Sequence, residues 1–307
     1  MDSVYIEITD ACNLRCSFCP CGKRNRTSDS QDATTPSAKA PGAAHGYMPS
    51  ALFEKCLAGA QGVGAKNVYF HVLGEPTLHP GFIHYVKKLE PTPLKLTLVT
   101  NGTTIARTGR ALLQSPAVRQ VNFSTHAYAE LDRDTAEKHL QNVIDFCKAS
   151  LAARPDMYIN LRLWNVGDRD AAPWNSFFLA RVNEAFGTSV EPGHFCSRHK
   201  SFNLTGRLYL HEDSRFEWPA QSAPSTSVPN THGTCHALGT HIAILHDGRV
   251  AACCLDHAGH IELGNIATQP LPEILESPLA RELHDAFTHH ELRHPLCQAC
   301  SYRRRFK

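Results

Sequence analysis

The chain has 307 residues, enough to bury one large core and a smaller one. Its 31 basic and 29 acidic residues leave a net charge of +2, which favours neither a nucleic-acid footprint nor a membrane surface. No apolar run reaches the ~18 residues of a spanning helix. The N-terminus MDSVYIEITD reads as a strand with acids rather than a signal peptide, so a soluble, cytoplasmic protein is expected, with no membrane or nucleic-acid partner.

From the N-terminus onward, short β-branched runs alternate with helical stretches. Strands are predicted at residues 4–9, 67–72, 95–100, 120–124 and 158–164, with a sixth at 207–210 after an unassigned segment around Cys196. Helices are predicted between them at residues 51–60, 82–89, 106–114, 134–153 and 174–186, with Ser50 as an N-cap. Such alternation predicts an α/β fold with a parallel sheet, and six repeats suggest a partial (β/α)6 TIM-like barrel. The cysteine loop after the first strand, LGEP at Leu73, TNG at Thr100, STH at Ser124 and WN at Trp164 each follow a strand. They are expected on the C-terminal rim, where βα loops carry the chemistry, although each could equally hold a turn.

Two segments break the pattern. Residues 23–47 are rich in Ser, Thr, Ala, Pro and Gly without apolar period, and read as a mobile insertion or a lid. Residues 217–232 have linker composition, which divides the chain into a barrel at 1–216 and a small C-terminal domain at 233–307.

The twelve cysteines suit metal ligation in a reducing compartment better than a disulfide scaffold. Cys12, Cys16 and Cys19 are spaced CxxxCxxC, one ligand short of the four thiolates that close a 4Fe-4S cluster, which leaves one iron open. A zinc site completed by Cys21 is the structural alternative. In the C-terminal region Cys235, Gly248 and Cys253 form C-x12-G-x4-C, with HDGR as a tight hairpin turn, and Cys297 and Cys300 form CxxC. Four thiolates there can close a cluster, and a zinc ribbon is the alternative. Cys254 is either a substitute ligand or a small buried residue, while Cys21, Cys56, Cys147 and Cys196 read as packing residues. The scattered histidines, including His284, His289, His290 and His294, fit a solvated helix end better than a metal site.

On the first cysteine loop, with Phe18 as the aromatic before the third cysteine, the chain resembles the radical S-adenosylmethionine (radical SAM) superfamily. Gly74 and Glu75 in LGEP resemble the family's GGE motif, with Leu73 where its first glycine usually stands, which implies that Glu75 binds the methionyl ammonium of S-adenosylmethionine. Ser124 and Arg162 match the positions where relatives that mature sulfatases or modify peptides hold the ribose and the methionyl carboxylate. For Arg162 a buried ion pair with a protein acid is the alternative. His126, Tyr128, Trp164 and Asn165 are candidates to face substrate.

The C-terminal region, including LGNI and the helix predicted in PLPEILESPLARELHDAF, resembles the SPASM/twitch extensions of these enzymes. One auxiliary 4Fe-4S cluster is expected, because the chain stops seven residues after Cys300. The resemblance therefore implies S-adenosylmethionine, a cofactor-binding 4Fe-4S cluster, a second 4Fe-4S cluster, and a reductant such as flavodoxin or ferredoxin. It implies reductive cleavage of the cofactor to a 5'-deoxyadenosyl radical that abstracts a substrate hydrogen. Modification of a peptide or protein side chain is the first expectation. Oxidation of a small alcohol or sugar-like metabolite is the second, favoured by chain length and by a first strand that leaves no room for a leader-binding domain. RNA modification is less favoured, since no basic stripe with interleaved aromatics stands out. A non-enzymatic iron-sulfur protein would leave Glu75 and Arg162 without a task.

Overall fold

The computed structural model describes residues 1–27, 46–191, 200–215, 217–219 and 231–305. In chain order its strands are β1 (Ser3–Ile6), β2 (Asn67–Tyr69), β3 (Lys95–Thr100), β4 (Val118–Phe123), β5 (Tyr158–Leu163), β6 (Ser201–Thr205), β7 (Leu208–Glu212), β8 (His241–Ile244), β9 (Arg249–Ala251) and β10 (Glu262–Asn265). Its helices are α1 (Pro20–Thr27), α2 (Ser50–Gly62), α3 (Phe82–Leu89), α4 (Ile105–Gln114), α5 (Arg133–Ala153), α6 (Ala172–Phe186), α7 (Leu271–Leu275), α8 (Pro278–Thr288) and α9 (Pro295–Ala299). The six predicted strands are β1 to β5 and β7, so the α/β reading holds.

Contacts divide the chain into two compact units, residues 1–85, 91–95 and 216–307 in one and residues 86–90 and 96–215 in the other. In the first unit β1 is flanked in parallel by β2 and β8, with Val4 opposite both Val68 and Ile242. The hairpin β8–β9 and then β10 continue the sheet antiparallel. Alternation along β1 buries Val4 and Ile6 completely, while Tyr5 stacks on Tyr69 at 4.3 Å on the other face. Phe53 of α2 stacks on Tyr85 at 4.1 Å and meets Phe70 edge-on at 5.4 Å, a burial that contributes about 2–3 kcal/mol for that ring alone.

In the second unit β3, β4, β5 and β7 are parallel in that order, and β6 pairs antiparallel with β7. The β6 strand was not expected. Its five residues alternate, with Phe202 and Leu204 as the apolar positions, but the run is short, and the turn to β7 depends on Gly206 at φ +52°. Asp132 caps α5 by accepting from Thr135 N–H at 2.9 Å. At the other end of α5, Arg154 donates to the carbonyls of Leu113, Ser115 and Val118 and pairs with Asp156, which ties the end of α4 to the start of β4.

Three local expectations are corrected. Ser50 is the first residue of α2 rather than its N-cap; Pro49 holds that place, its carbonyl accepting from Leu52 and Phe53. The single helix predicted across 270–287 is two, because Ser277 caps Ala280 N–H and Pro278 starts a new helix. The insertion expected to begin at Lys23 begins as the end of α1, since Lys23 N–H bonds Cys19 O, and Tyr47 is already bridged to Thr9. The middle of that insertion, most of the 217–232 linker and Cys196 lie outside the described residues.

Candidate metal centres and cofactor site

The first cysteine loop leaves the sheet after Ile8, whose carbonyl accepts from Met48 N–H. Thr9 and Asp10 fasten its base: Thr9 Oγ1 accepts from Ala11 N–H and donates to Gly46 O, and Asp10 Oδ1 accepts from Gly46 N–H at 2.8 Å. Cys12, Cys16, Phe18 and Cys19 are all half-buried along the loop, and Leu14 N–H points at Cys12 Sγ at 3.5 Å. Cys21 is buried, its thiol donating to Asp10 O and touching Cys12. That contact with Cys21, then burial, pushes the Cys12 thiol far up from its ordinary range.

LGEP closes directly on this loop. Glu75 N–H donates to Ala11 O at 2.7 Å, and Gly74 sits at φ +74° so close that a Cβ there would be 2.3 Å from Thr9 O. Glu75 is buried, and its Oε1 accepts from Thr77 N–H at 3.1 Å and Thr77 Oγ1 at 2.5 Å, which fixes the carboxylate. Gly74, Glu75 and the three cysteines are thus brought together within the first unit.

The same unit holds the second cysteine set. Cys235, Cys253, Cys297 and Cys300 are half-buried, and Cys253 and Cys297 each feel the charge of Cys235. Burial, with the charges of Cys235 and Cys300 adding, pushes Cys297 up to about 12, and Cys235 and Cys253 are also raised, burial leading in both. Backbone N–H groups two residues on point at sulfur: Ala237 to Cys235 at 3.5 Å, Leu255 to Cys253 at 3.3 Å. His294, expected as a solvated residue, caps α9, which carries Cys297, by accepting from Leu296 N–H. Cys254 lies with the set, hydrogen-bonded by Tyr5 and within reach of the charges of Cys235 and Cys300.

Both donor sets fit iron-sulfur clusters. Thiols this buried ionise only when a cation offsets their charge, and N–H groups aimed at sulfur favour the thiolate. Among the described residues no three His, Cys, Asp or Glu side chains converge as they would round one metal ion.

Ser124 and Arg162 belong to the second unit. Ser124 N–H bonds Thr100 O at 2.9 Å at the end of β4, and the Arg162 carbonyl accepts from Thr125 Oγ1 at 2.9 Å and His126 Nδ1 at 3.1 Å. The Arg162 guanidinium lies 4.6 Å over the Trp164 ring, whose Nε1 donates to His211 Nδ1 at 2.8 Å, and His126 stacks on Trp164. Register explains the grouping, since Arg162 is directly opposite His211. Two substrate candidates are otherwise engaged: Tyr128 is buried with its hydroxyl on Asn101 O, and Asn165 is buried against Asn175.

Burial lowers His126 from 6.5 to about 4, against the pull of its bond to the Arg162 carbonyl. The neutral ring therefore stabilises the fold above about pH 6.5, and that contribution is lost as pH falls toward 4. At pH 5 the expected loss is about 2 kcal/mol. Urea unfolding at pH 7 and pH 5 checks this: His126→Gln should narrow the gap between the two midpoints, and an unchanged gap would clear His126 as its source.

Neither Glu7 nor Asp256 was singled out by motif. Glu7 is buried and accepts from Leu73 N–H and His246, and Asp256, fully buried, accepts from His260 and Ile261 N–H in the loop after Cys253. Their only sequence signal is an acid placed among apolar residues.

A family model described as Radical SAM superfamily matches residues 6–167, and SPASM, described as an iron-sulfur cluster-binding domain, matches residues 235–301. The tungsten-containing aldehyde ferredoxin oxidoreductase cofactor-modifying protein of Pyrococcus furiosus is 34% identical over 104 residues, 34% of this chain and 24% of that protein. The match therefore spans about a quarter of that relative's length. Among solved structures, Streptococcus suis SuiB bound to precursor peptide SuiA has a TM-score of 0.58 at 14% identity, over 97% of this chain and 70% of that one. BtrN in complex with AdoMet and 2-DOIA has a TM-score of 0.53 at 14% identity, over 98% and 94% of the two chains. The anSMEcpe structure with AdoMet and the Cp18Cys peptide has a TM-score of 0.51 at 16% identity, over 98% and 86%. At these identities the likeness is one of fold. The chain belongs to the radical SAM superfamily and carries a C-terminal SPASM domain, with S-adenosylmethionine, a 4Fe-4S cluster and auxiliary iron-sulfur ligation as its cofactor set.

Proposed function

We propose that this chain is a radical SAM enzyme that modifies a peptide or protein side chain, with one auxiliary 4Fe-4S cluster on Cys235, Cys253, Cys297 and Cys300 assisting. The observation that carries the reading is the pairing of a three-thiolate loop with a separate four-thiolate set in one chain. When bound, the first cluster and S-adenosylmethionine supply reductive cleavage and a 5'-deoxyadenosyl radical that takes a hydrogen from unactivated carbon.

The chain's own residues bind and orient. Cys12, Cys16 and Cys19 would hold the first cluster through three thiolates, with Phe18 half-buried in the same loop. Glu75, its carboxylate fixed by Thr77, accepts the methionyl ammonium beside Gly74. Arg162, braced on Trp164, offers its fork of donors to the methionyl carboxylate, and Ser124 donates to a ribose hydroxyl. A flavodoxin or ferredoxin supplies the electron. Support for a peptide substrate comes from the SPASM match and from two fold relatives, SuiB and anSMEcpe, whose structures hold peptides.

A second reading, oxidation of a small alcohol or sugar-like metabolite, is favoured by the BtrN complex, which this chain matches nearly end to end in both directions. Anaerobic reconstitution with dithionite and S-adenosylmethionine tests the common ground, 5'-deoxyadenosine being the expected product. None formed would sink the enzyme reading. Faster formation with a short peptide encoded beside the gene, and a mass change in that peptide, separates the first reading from the second.

A further inference from the structure

Glu7 is 2% exposed and belongs to no family motif considered above. Its Oε1 accepts from Leu73 N–H at 3.0 Å, and its Oε2 accepts from His246 Nδ1 at 2.9 Å and, more weakly, from His246 N–H at 3.3 Å. Leu73 immediately precedes Gly74 and Glu75. His246 opens the HDGR turn between β8 and β9, so one buried carboxylate joins the C-terminal hairpin to the turn that carries Glu75.

The other side of the His246 ring rests on Gly46, where a Cβ would fall 1.8 Å from Cδ2 and 2.0 Å from Nε2. Gly46 in turn is bonded to Thr9 and Asp10 at the base of the cysteine loop. The imidazole is thus held between the Glu7 carboxylate and the strap that fastens this loop. A buried carboxylate needs its donors, and one deprived of them will seek others by moving. Any such movement is passed to Leu73 N–H, and so to the Gly74–Glu75 turn, which has no slack against Thr9 O.

We propose that Glu7, held by His246, is a positioning residue that sets the Gly74–Glu75 turn for the ammonium of S-adenosylmethionine, so that the C-terminal hairpin governs cofactor affinity. This rests on the reading of Glu75 as the ammonium partner. The donor matters rather than the bulk: an Asn amide can present an N–H where the imidazole Nδ1–H stands, whereas Ala cannot.

The test uses the full chain, anaerobically reconstituted, with S-adenosylmethionine affinity read by equilibrium dialysis and by the change the cofactor makes in the EPR spectrum of the reduced cluster. His246→Ala and Glu7→Gln should each weaken binding about tenfold (~1.4 kcal/mol) with iron and sulfide content unchanged. His246→Asn should stay within about twofold of the parent. Gly46→Ala, which pushes the ring off Glu7 while leaving His246 in place, should reproduce the His246→Ala loss. Unchanged affinity in His246→Ala overturns the proposal even where Glu7→Gln does not fold, and so does an equal loss in His246→Asn. Glu75→Gln is the separate control: unchanged affinity there removes the reading of Glu75. A loss there with none at His246 overturns the positioning role alone.

Discussion

Replacing Cys12, Cys16 and Cys19 together by alanine is expected to leave about four of roughly eight irons, with a matching loss of sulfide, and to abolish 5'-deoxyadenosine formation. The two cysteine sets lie far apart in sequence, and each has its own backbone N–H groups aimed at sulfur, so each should assemble alone. The surviving cluster, on Cys235, Cys253, Cys297 and Cys300, should keep its EPR signal, and the signal that responds to S-adenosylmethionine should be gone. Iron and sulfide analysis beside EPR checks this directly. Loss of both clusters in that variant would undermine the assignment of two independent sites.

Gly74→Ala should be nearly as severe, although it adds one methyl group. The position has φ +74°, where a side chain costs of order 1 kcal/mol, and the new Cβ would stand 2.3 Å from Thr9 O and 2.9 Å from Ala11 O. Those neighbours are backbone and cannot swing aside as a side chain would. The turn must therefore lift away from the cysteine loop, breaking the Glu75 N–H to Ala11 O bond and displacing the carboxylate. Binding of S-adenosylmethionine should fall at least a hundredfold with both clusters retained, as read by dialysis and iron analysis. A variant with full affinity would show that the tight approach is not needed for cofactor binding.

The contrast between Gly74 and Glu7 shows what kind of signal a sequence carries. Gly74–Glu75 was legible because a short motif after a strand has a family counterpart, even with Leu73 in place of glycine. Glu7 is one acid in VYIEIT, where strand alternation assigns it a face and says nothing of its partners. Its donors are 66 and 239 residues away along the chain, distances over which no local pattern operates. Arg162 lies between these cases: its position in β5 was predicted and its brace on Trp164, two residues on, is local, yet the Trp164–His211 bond follows from the pairing of β5 with β7. Of the residues expected near substrate because they follow strands, Tyr128 is buried with its hydroxyl on Asn101 O, and Asn165 is buried with its Oδ1 accepting from Asn175.

Determined by the sequence alone were the alternation of strands and helices, the parallel order that such alternation demands, and both cysteine sets with their spacings. Each is written in residues close together, where periodicity and thiol spacing act locally. Tertiary structure alone decided that β8 pairs in parallel with β1, that β6 folds back on β7, and that Gly74 presses against Thr9. Buried polar groups far apart in the chain must find partners wherever packing brings them. Glu7, Leu73 and His246 become one connection for that reason, and only folding brings them within hydrogen-bond reach.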